Sequence, residues 1–171
     1  MNGHKLFHEV RSWLDAEKFS FSANVENTSI QLRLDLNHGL VPVRLLCEES
    51  PVILQVVCSL PVKAPREKIF GTSLALLRLN ARIRMGAFHL DTDDGLIMFR
   101  LSQPIQPDSD LRKQIREAFD TARNTMDANF LPLTLFCCST TNARKGASKL
   151  NLGGCFPDTT SGPSHDRFKW N

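Results

Sequence analysis

The chain has 171 residues, of which 42% are hydrophobic and 23% are charged, and this composition fits one folded domain better than two. It contains no apolar run of about 18 residues, and its N-terminus lacks the apolar core of a signal peptide. The sequence therefore predicts a cytoplasmic protein with no membrane partner. A chain of this length can bury a sufficient core without disulfides or a structural metal.

The formal charge of +3 is unevenly distributed along the chain. Residues 1–136 contain 16 basic and 16 acidic side chains, whereas residues 137–171 contain five basic and two acidic ones. Because the body is neutral, the net charge does not indicate a nucleic-acid-binding domain. One local excess of five positive charges lies between residues 63 and 84. It is either an ordinary solvated helix face or a contact surface for an acidic partner.

The first part of the chain predicts one helix followed by four strands. Apolar residues recur at helical spacing over about residues 3–18, and polar and apolar residues alternate after that point. The run from Val52 to Leu60 is apolar at almost every position, which is typical of a strand covered on both faces by a helix or a partner protein. The strands are expected at about residues 19–25, 30–36, 41–47 and 52–60.

The second part predicts a helix, a hairpin, a third helix and a tail. The second helix is expected to end at a left-handed cap at Gly86. The third is expected to begin at an N-cap at Asp108 and to break or kink near residues 129–131 because of Pro132, with residues 133–136 packing beyond it. Residues 137–171 are rich in Ser, Thr, Gly and Pro and predict a flexible basic tail. The remaining elements are expected at about residues 65–85 for the second helix, and 87–91 and 96–101 for the hairpin.

No combination of residues predicts a catalytic, cofactor or metal site. His4 and His8 share a helix face but lack the glutamate order of a zinc helix, and the five cysteines lack paired zinc-ligand spacing. The turn from Asp91 to Gly95 lacks the glycine and glutamate positions of a calcium loop. We therefore expect a protein that is not an enzyme and that needs no cofactor.

Several short segments, taken in their order and spacing, resemble the YbjN-like family over about residues 5–136. The segments are Ser59-Leu60-Pro61, Leu79-Asn80, residues 86–91, residues 94–100, and Met126-Asp127 with Pro132. The resemblance implies an α+β fold similar to class I type III secretion chaperones, in which helices pack against an antiparallel sheet. Here the order is helix, four strands, helix, two strands, helix. The family also implies a dimer and protein binding without catalysis, in chaperoning or in sensory-transduction regulation.

The residues favour an interaction role on their own account. Sheet edges can accept an extended peptide, and the second helix has more leucines than one buried stripe requires, which suggests a homodimer interface or a helix buried between sheet and tail. We expect a noncatalytic domain that binds an unidentified protein partner through sheet edges and apolar surface. The alternative is a regulator that binds nucleic acid or an acidic ligand through the basic helix face and the tail. The candidate contact residues are Leu74, Leu76, Arg78, Arg82 and Arg84.

Overall fold

Three helices cover one face of a six-stranded antiparallel sheet in the computed structural model, which describes residues 2–106 and 108–139. The strand order across the sheet is β1-β2-β3-β4-β6-β5. This architecture confirms the predicted α+β class and the order of its elements. The elements are α1 (Gly3–Ala16), β1 (Phe21–Asn24), β2 (Ser29–Leu36), β3 (Gly39–Glu49), β4 (Val52–Lys63), a 3-10 turn (Arg66–Lys68), α2 (Ile69–Asn80), β5 (Ala87–Leu90), β6 (Leu96–Pro104) and α3 (Leu111–Cys138).

Alternation along the strands places one set of side chains in the core. On β2, for example, Ile30, Leu32 and Leu34 are buried while the residues between them are exposed. All three helices contribute to the same cluster, with Leu6 and Trp13 of α1 and Phe119 of α3 among its members. The helices therefore cover a single face of the sheet, and the other face is left open.

Two side chains from the helices hold the sheet's turns and edge in place. The Asp127 carboxylate of α3 accepts a hydrogen bond of 3.0 Å from the backbone N–H of Asn37, in the β2–β3 turn. Asn80, at the end of α2, accepts from the N–H of Phe88 at 2.7 Å and donates to the carbonyl of Phe88 at 2.9 Å. Asp127 and Asn80 both lie in segments that carry the family resemblance. Their hydrogen bonds show that these segments stabilise the fold.

The second helix is shorter than predicted. It ends at Asn80 rather than near residue 85, because the bonds from Asn80 to Phe88 turn the chain into β5. Gly86 has a φ of +77°, but it precedes β5 and does not cap the helix. A Cβ at this position would lie 2.7 Å from the carbonyl oxygen of Arg100, so close approach to β6 also requires glycine.

The third helix continues through Pro132 to Cys138, so a break near residues 129–131, one of the two predicted alternatives, is wrong. Its N-cap is Asp110, whose carboxylate accepts from the N–H of Lys113, and Asp108 lies outside the helix. Proline inside a helix removes one hydrogen bond. Here Phe130, Leu133 and Phe136 are buried on both sides of it, so packing maintains the helical path.

A buried lysine joins the end of α3 to the start of α2. The Lys68 ammonium donates at 2.9 Å to the carbonyls of both Phe136 and Cys137, and it also bonds to Ser139. These are carbonyls that a helix end leaves without partners, and a cation is favourable there. Helix α3 therefore packs on the body as far as Cys137, which is buried in the core. The remainder of the predicted tail lies outside the described residues.

Candidate functional site

Helix α2 has apolar residues on two opposite sides. Its inner stripe consists of Thr72, Leu76 and Leu79, which are buried in the monomer. Its outer stripe consists of Phe70, Leu74 and Leu77, at the same helical spacing. Phe70 is 82% exposed and Leu77 is 67% exposed, while Leu74 is half-buried. An apolar outer stripe on a surface helix indicates a contact that the monomer does not provide.

The structure places the five predicted contact residues in different environments. Leu74 lies in the outer stripe, whereas Leu76 is only 3% exposed and belongs to the core, so the monomer does not present Leu76 to a partner. Arg78 is exposed in the last turn of α2. Arg82 and Arg84 are exposed beyond its end, because the helix stops at Asn80.

The excess of positive charge between residues 63 and 84 contributes less to the surface than its count in the sequence suggests. The six basic residues are Lys63, Arg66, Lys68, Arg78, Arg82 and Arg84. Lys68 is buried against α3, as described above. Lys63 forms a 2.7 Å ion pair with Asp94. This hydrogen bond holds the pKa of the Asp94 carboxyl below its ordinary value, as does the bond from the Leu96 N–H. Two of the six basic side chains therefore contribute little to a surface patch.

The two edges of the sheet are β1 and β5, and they differ in how far they can accept another strand. The main-chain groups of Phe88 in the middle of β5 are both bonded to Asn80, which occupies that edge. Strand β1 has four residues, and no helix side chain is bonded to its backbone among the described residues. An incoming peptide strand would therefore have better access to β1 than to β5.

The open face of the sheet carries a cluster of arginines that the sequence analysis did not identify. Arg44 of β3 and Arg100 of β6 both lie directly across from Val57 of β4, in one row of the sheet. Arg33 of β2 lies opposite Pro42, in the neighbouring row. Each arginine occupies an ordinary polar position of an alternating strand. Only the pairing of β4 with β6 reveals that the three share one surface.

This open face forms a groove of about 1020 Å³. Its floor is the central part of the sheet, with Leu46, Val57 and Met98 between the arginines, and one wall is the segment of residues 18–22. The groove contains four basic side chains and no acidic one among its described lining residues, since Lys18 joins the arginines. We call this surface the arginine groove.

The buried thiols offer no reactive group to either surface. Burial raises the pKa of Cys47 and of Cys58 to about 12, and that of Cys137 to about 11. Within the part of the chain that the structure describes, no three His, Cys, Asp or Glu side chains are grouped as metal ligands. None of the described helices combines the length and the apolar character needed to cross a membrane.

Comparison with known proteins identifies one family. A family model named YbjN, with the description "Putative bacterial sensory transduction regulator", matches residues 7–134. No curated protein matches the chain. Among solved structures, a chain of the heterodimeric ExoU–SpcU complex from the type III secretion system of Pseudomonas aeruginosa is 18% identical, with a TM-score of 0.47 over 71% of this chain and 94% of that chain.

Proposed function

The chain belongs to the YbjN family, and from that premise we propose that it is a noncatalytic protein-interaction domain that forms a homodimer through the outer stripe of α2. The family description names a regulator of sensory transduction, and a regulator acts through its contacts with other macromolecules. Both regulation of a partner and chaperone-like holding of a partner require such contacts. A cytoplasmic location is part of this proposal.

The outer stripe carries the proposal. Burial of apolar surface contributes about 25 cal/mol per Å², and a phenylalanine or leucine contributes about 1.5 to 3 kcal/mol when fully buried. Phe70 and Leu77 have not gained this stabilisation in the monomer, since most of each side chain contacts water. A second copy with the same stripe supplies a matching apolar surface by two-fold symmetry. Arg78 then lies near the rim of the interface, where charged residues remain solvated.

Light scattering on the full chain tests the dimer. Over a range of protein concentrations, we expect a mass near twice 19.2 kDa, with little dependence on salt because the proposed contact is apolar. The variant Phe70→Glu/Leu77→Glu is expected to be a monomer with unchanged circular dichroism, because both side chains lie outside the core. A dimer that survives these two substitutions contradicts the proposed interface.

The matched control is Leu40→Glu. Leu40 is also an exposed leucine, at 55%, but it lies at the start of β3 and not on α2. We expect this variant to remain dimeric. If Leu40→Glu also yields monomers, the effect arises from added negative charge rather than from loss of the stripe.

A further inference from the structure

The arginine groove has an excess of positive charge that none of the described ion pairs neutralises. Among the described residues, the ion pairs join His4 to Glu49, Lys63 to Asp94, Lys113 to Glu117, and Arg116 to Glu17. None of them includes Arg33, Arg44 or Arg100, and the guanidinium groups of these three residues are not among the donors of the described hydrogen bonds, in contrast to those of Arg112 and Arg116. Guanidinium groups bind carboxylates with paired hydrogen bonds, so the groove is complementary to anionic groups.

The floor of the groove includes apolar side chains, although none of the described helices covers it. Val57 is only 8% exposed, yet its side chain lies on the open face and outside the core cluster. Arg44 and Arg100 flank it across the sheet, and long arginine stems can shield such a neighbour. Met98 and Leu46 are half-buried on the same face. The open face of the sheet therefore has apolar side chains between its arginines, although the described helices cover only the other face.

We propose that the arginine groove binds an extended acidic segment of a protein partner, in which acidic and apolar side chains recur on the same side. The inference rests on the proposed function and deepens it by naming the chemistry of the partner. The partner's carboxylates pair with Arg33, Arg44 and Arg100. Its apolar side chains contact Leu46, Val57 and Met98.

The spacing of the groove matches an extended peptide. Along β3, Arg44 and Leu46 are two residues apart on one face, which corresponds to about 7 Å, the same interval that separates same-side residues in a peptide strand. Across the sheet, two strand spacings place the backbones of Arg44 and Arg100 about 10 Å apart, with Val57 between them. A peptide that lies along β3 therefore meets the cation of Arg44 and the apolar Leu46 in turn, with Arg100 on the far side of Val57.

A single-stranded nucleic acid fits the groove less well. Its binding relies on exposed aromatic rings on which bases stack. The two aromatic residues of the groove wall, Phe19 and Phe21, are both partly buried against the core. The ring of Phe19 lies 5.3 Å from that of Phe119 and 6.1 Å from that of Trp13, so it is already packed.

Fluorescence anisotropy on the full chain tests the proposal with three labelled probes. The first, the Glu-Leu peptide, is a peptide of about eight residues with the repeat Glu-Ser-Leu-Ser, which places Glu and Leu in turn on one side of an extended strand. The second, the Lys-Leu peptide, replaces Glu by Lys, and the third is an oligothymidylate of about 12 nucleotides. We expect the Glu-Leu peptide to bind, with affinity that falls as salt rises. The Lys-Leu peptide should not bind. Arg44→Gln/Arg100→Gln should weaken Glu-Leu binding by about tenfold or more.

The matched control is Arg123→Gln, which removes an exposed arginine from α3, on the covered side of the sheet. It should bind the Glu-Leu peptide as the wild type does. Equal binding by Arg44→Gln/Arg100→Gln and the wild type overturns the proposal, as does the absence of Glu-Leu binding. Tighter binding of the oligothymidylate than of the peptide also overturns it and assigns the groove to nucleic acid.

Mass measurements on the same samples separate this proposal from the proposed dimer. Arg44→Gln/Arg100→Gln should lose the peptide and keep the dimer mass. Phe70→Glu/Leu77→Glu should lose the dimer and keep the peptide. A chain that is monomeric but binds the Glu-Leu peptide through the arginines contradicts only the α2 interface. A dimer without peptide binding contradicts only the groove.

Discussion

Helices α1 and α2 pack on the same sheet but present different surfaces to water. On α1 the buried side chains, such as Leu6, Val10 and Leu14, are opposed by exposed polar ones, such as His4 and His8. On α2 both sides are apolar, and only the inner stripe is covered. Helix α1 buries its apolar side within the monomer, whereas α2 retains exposed apolar surface that another molecule can bury. The comparison supports the proposal that α2, and not α1, is the helix through which this protein meets a partner.

Replacing the inner and outer leucines of α2 separately gives the sharpest test of that difference. Leu76→Ala should lower the free energy of unfolding by about 2 to 5 kcal/mol, because it leaves a cavity in the core. Leu77→Ala, measured by urea denaturation at concentrations where the dimer dissociates, should change it by about 0.5 kcal/mol or less. Similar losses at the two positions would show that the outer stripe is buried within the monomer.

Lys68 attaches the start of α2 to the end of α3. Replacing Lys68 should cause the second largest loss in the free energy of unfolding. Lys68→Met keeps most of the length of the side chain but removes the ammonium that donates to the carbonyls of Phe136 and Cys137, of which the first retains only the hydroxyl of Ser139 among the described residues. We expect a loss of about 1 to 3 kcal/mol in thermal or urea unfolding. Lys113→Met is the control, because Lys113 is exposed and makes only a 3.9 Å helical ion pair. Equal effects of the two substitutions would contradict the structural role of Lys68.

Alkaline unfolding should show how completely the covered face is closed to water. The folded state raises the pKa of Cys58 from 9.0 to about 12, so its stabilising effect is complete below pH 9 and declines as the pH rises through the interval to 12. Between pH 8 and pH 10 this thiol should contribute a loss of about 1 kcal/mol. Urea unfolding of Cys58→Ala across this range should show a correspondingly smaller decline than the wild type. Ser59→Ala supplies the control, since it changes the neighbouring position of β4 without removing a thiol and should retain the full decline.

The sequence predicted most of the fold because burial in this sheet follows simple periodicity. Alternation on β2 and the spacing of apolar residues on α1 each identify a buried side without knowledge of the neighbours. The same reasoning found too many apolar residues on α2, although it did not separate Leu74 on the outer stripe from Leu76 in the core. The four consecutive strands and the later hairpin were placed correctly because their turns interrupt the pattern.

Helix ends were predicted less well, because distant residues determine them. Asn80 ends α2 by bonding to Phe88, and the burial of Phe130 and Phe136 carries α3 through Pro132. Neither of these tertiary contacts can be predicted from the helix propensity of the local sequence. A proline breaks an isolated helix, but packing on both sides of it outweighs one lost hydrogen bond.

By itself, the sequence determined the family, the α+β class and the surplus of apolar residues on α2, since each of these depends on composition, order or local spacing. Only the tertiary structure decided where that surplus lies, and only the pairing of β4 with both β3 and β6 brought Arg44 and Arg100 to either side of Val57. These residues are far apart in the chain, and nothing in the local pattern distinguishes them from solvated arginines. The candidate sites of this protein therefore follow from the order of its strands and from the uncovered side of one helix.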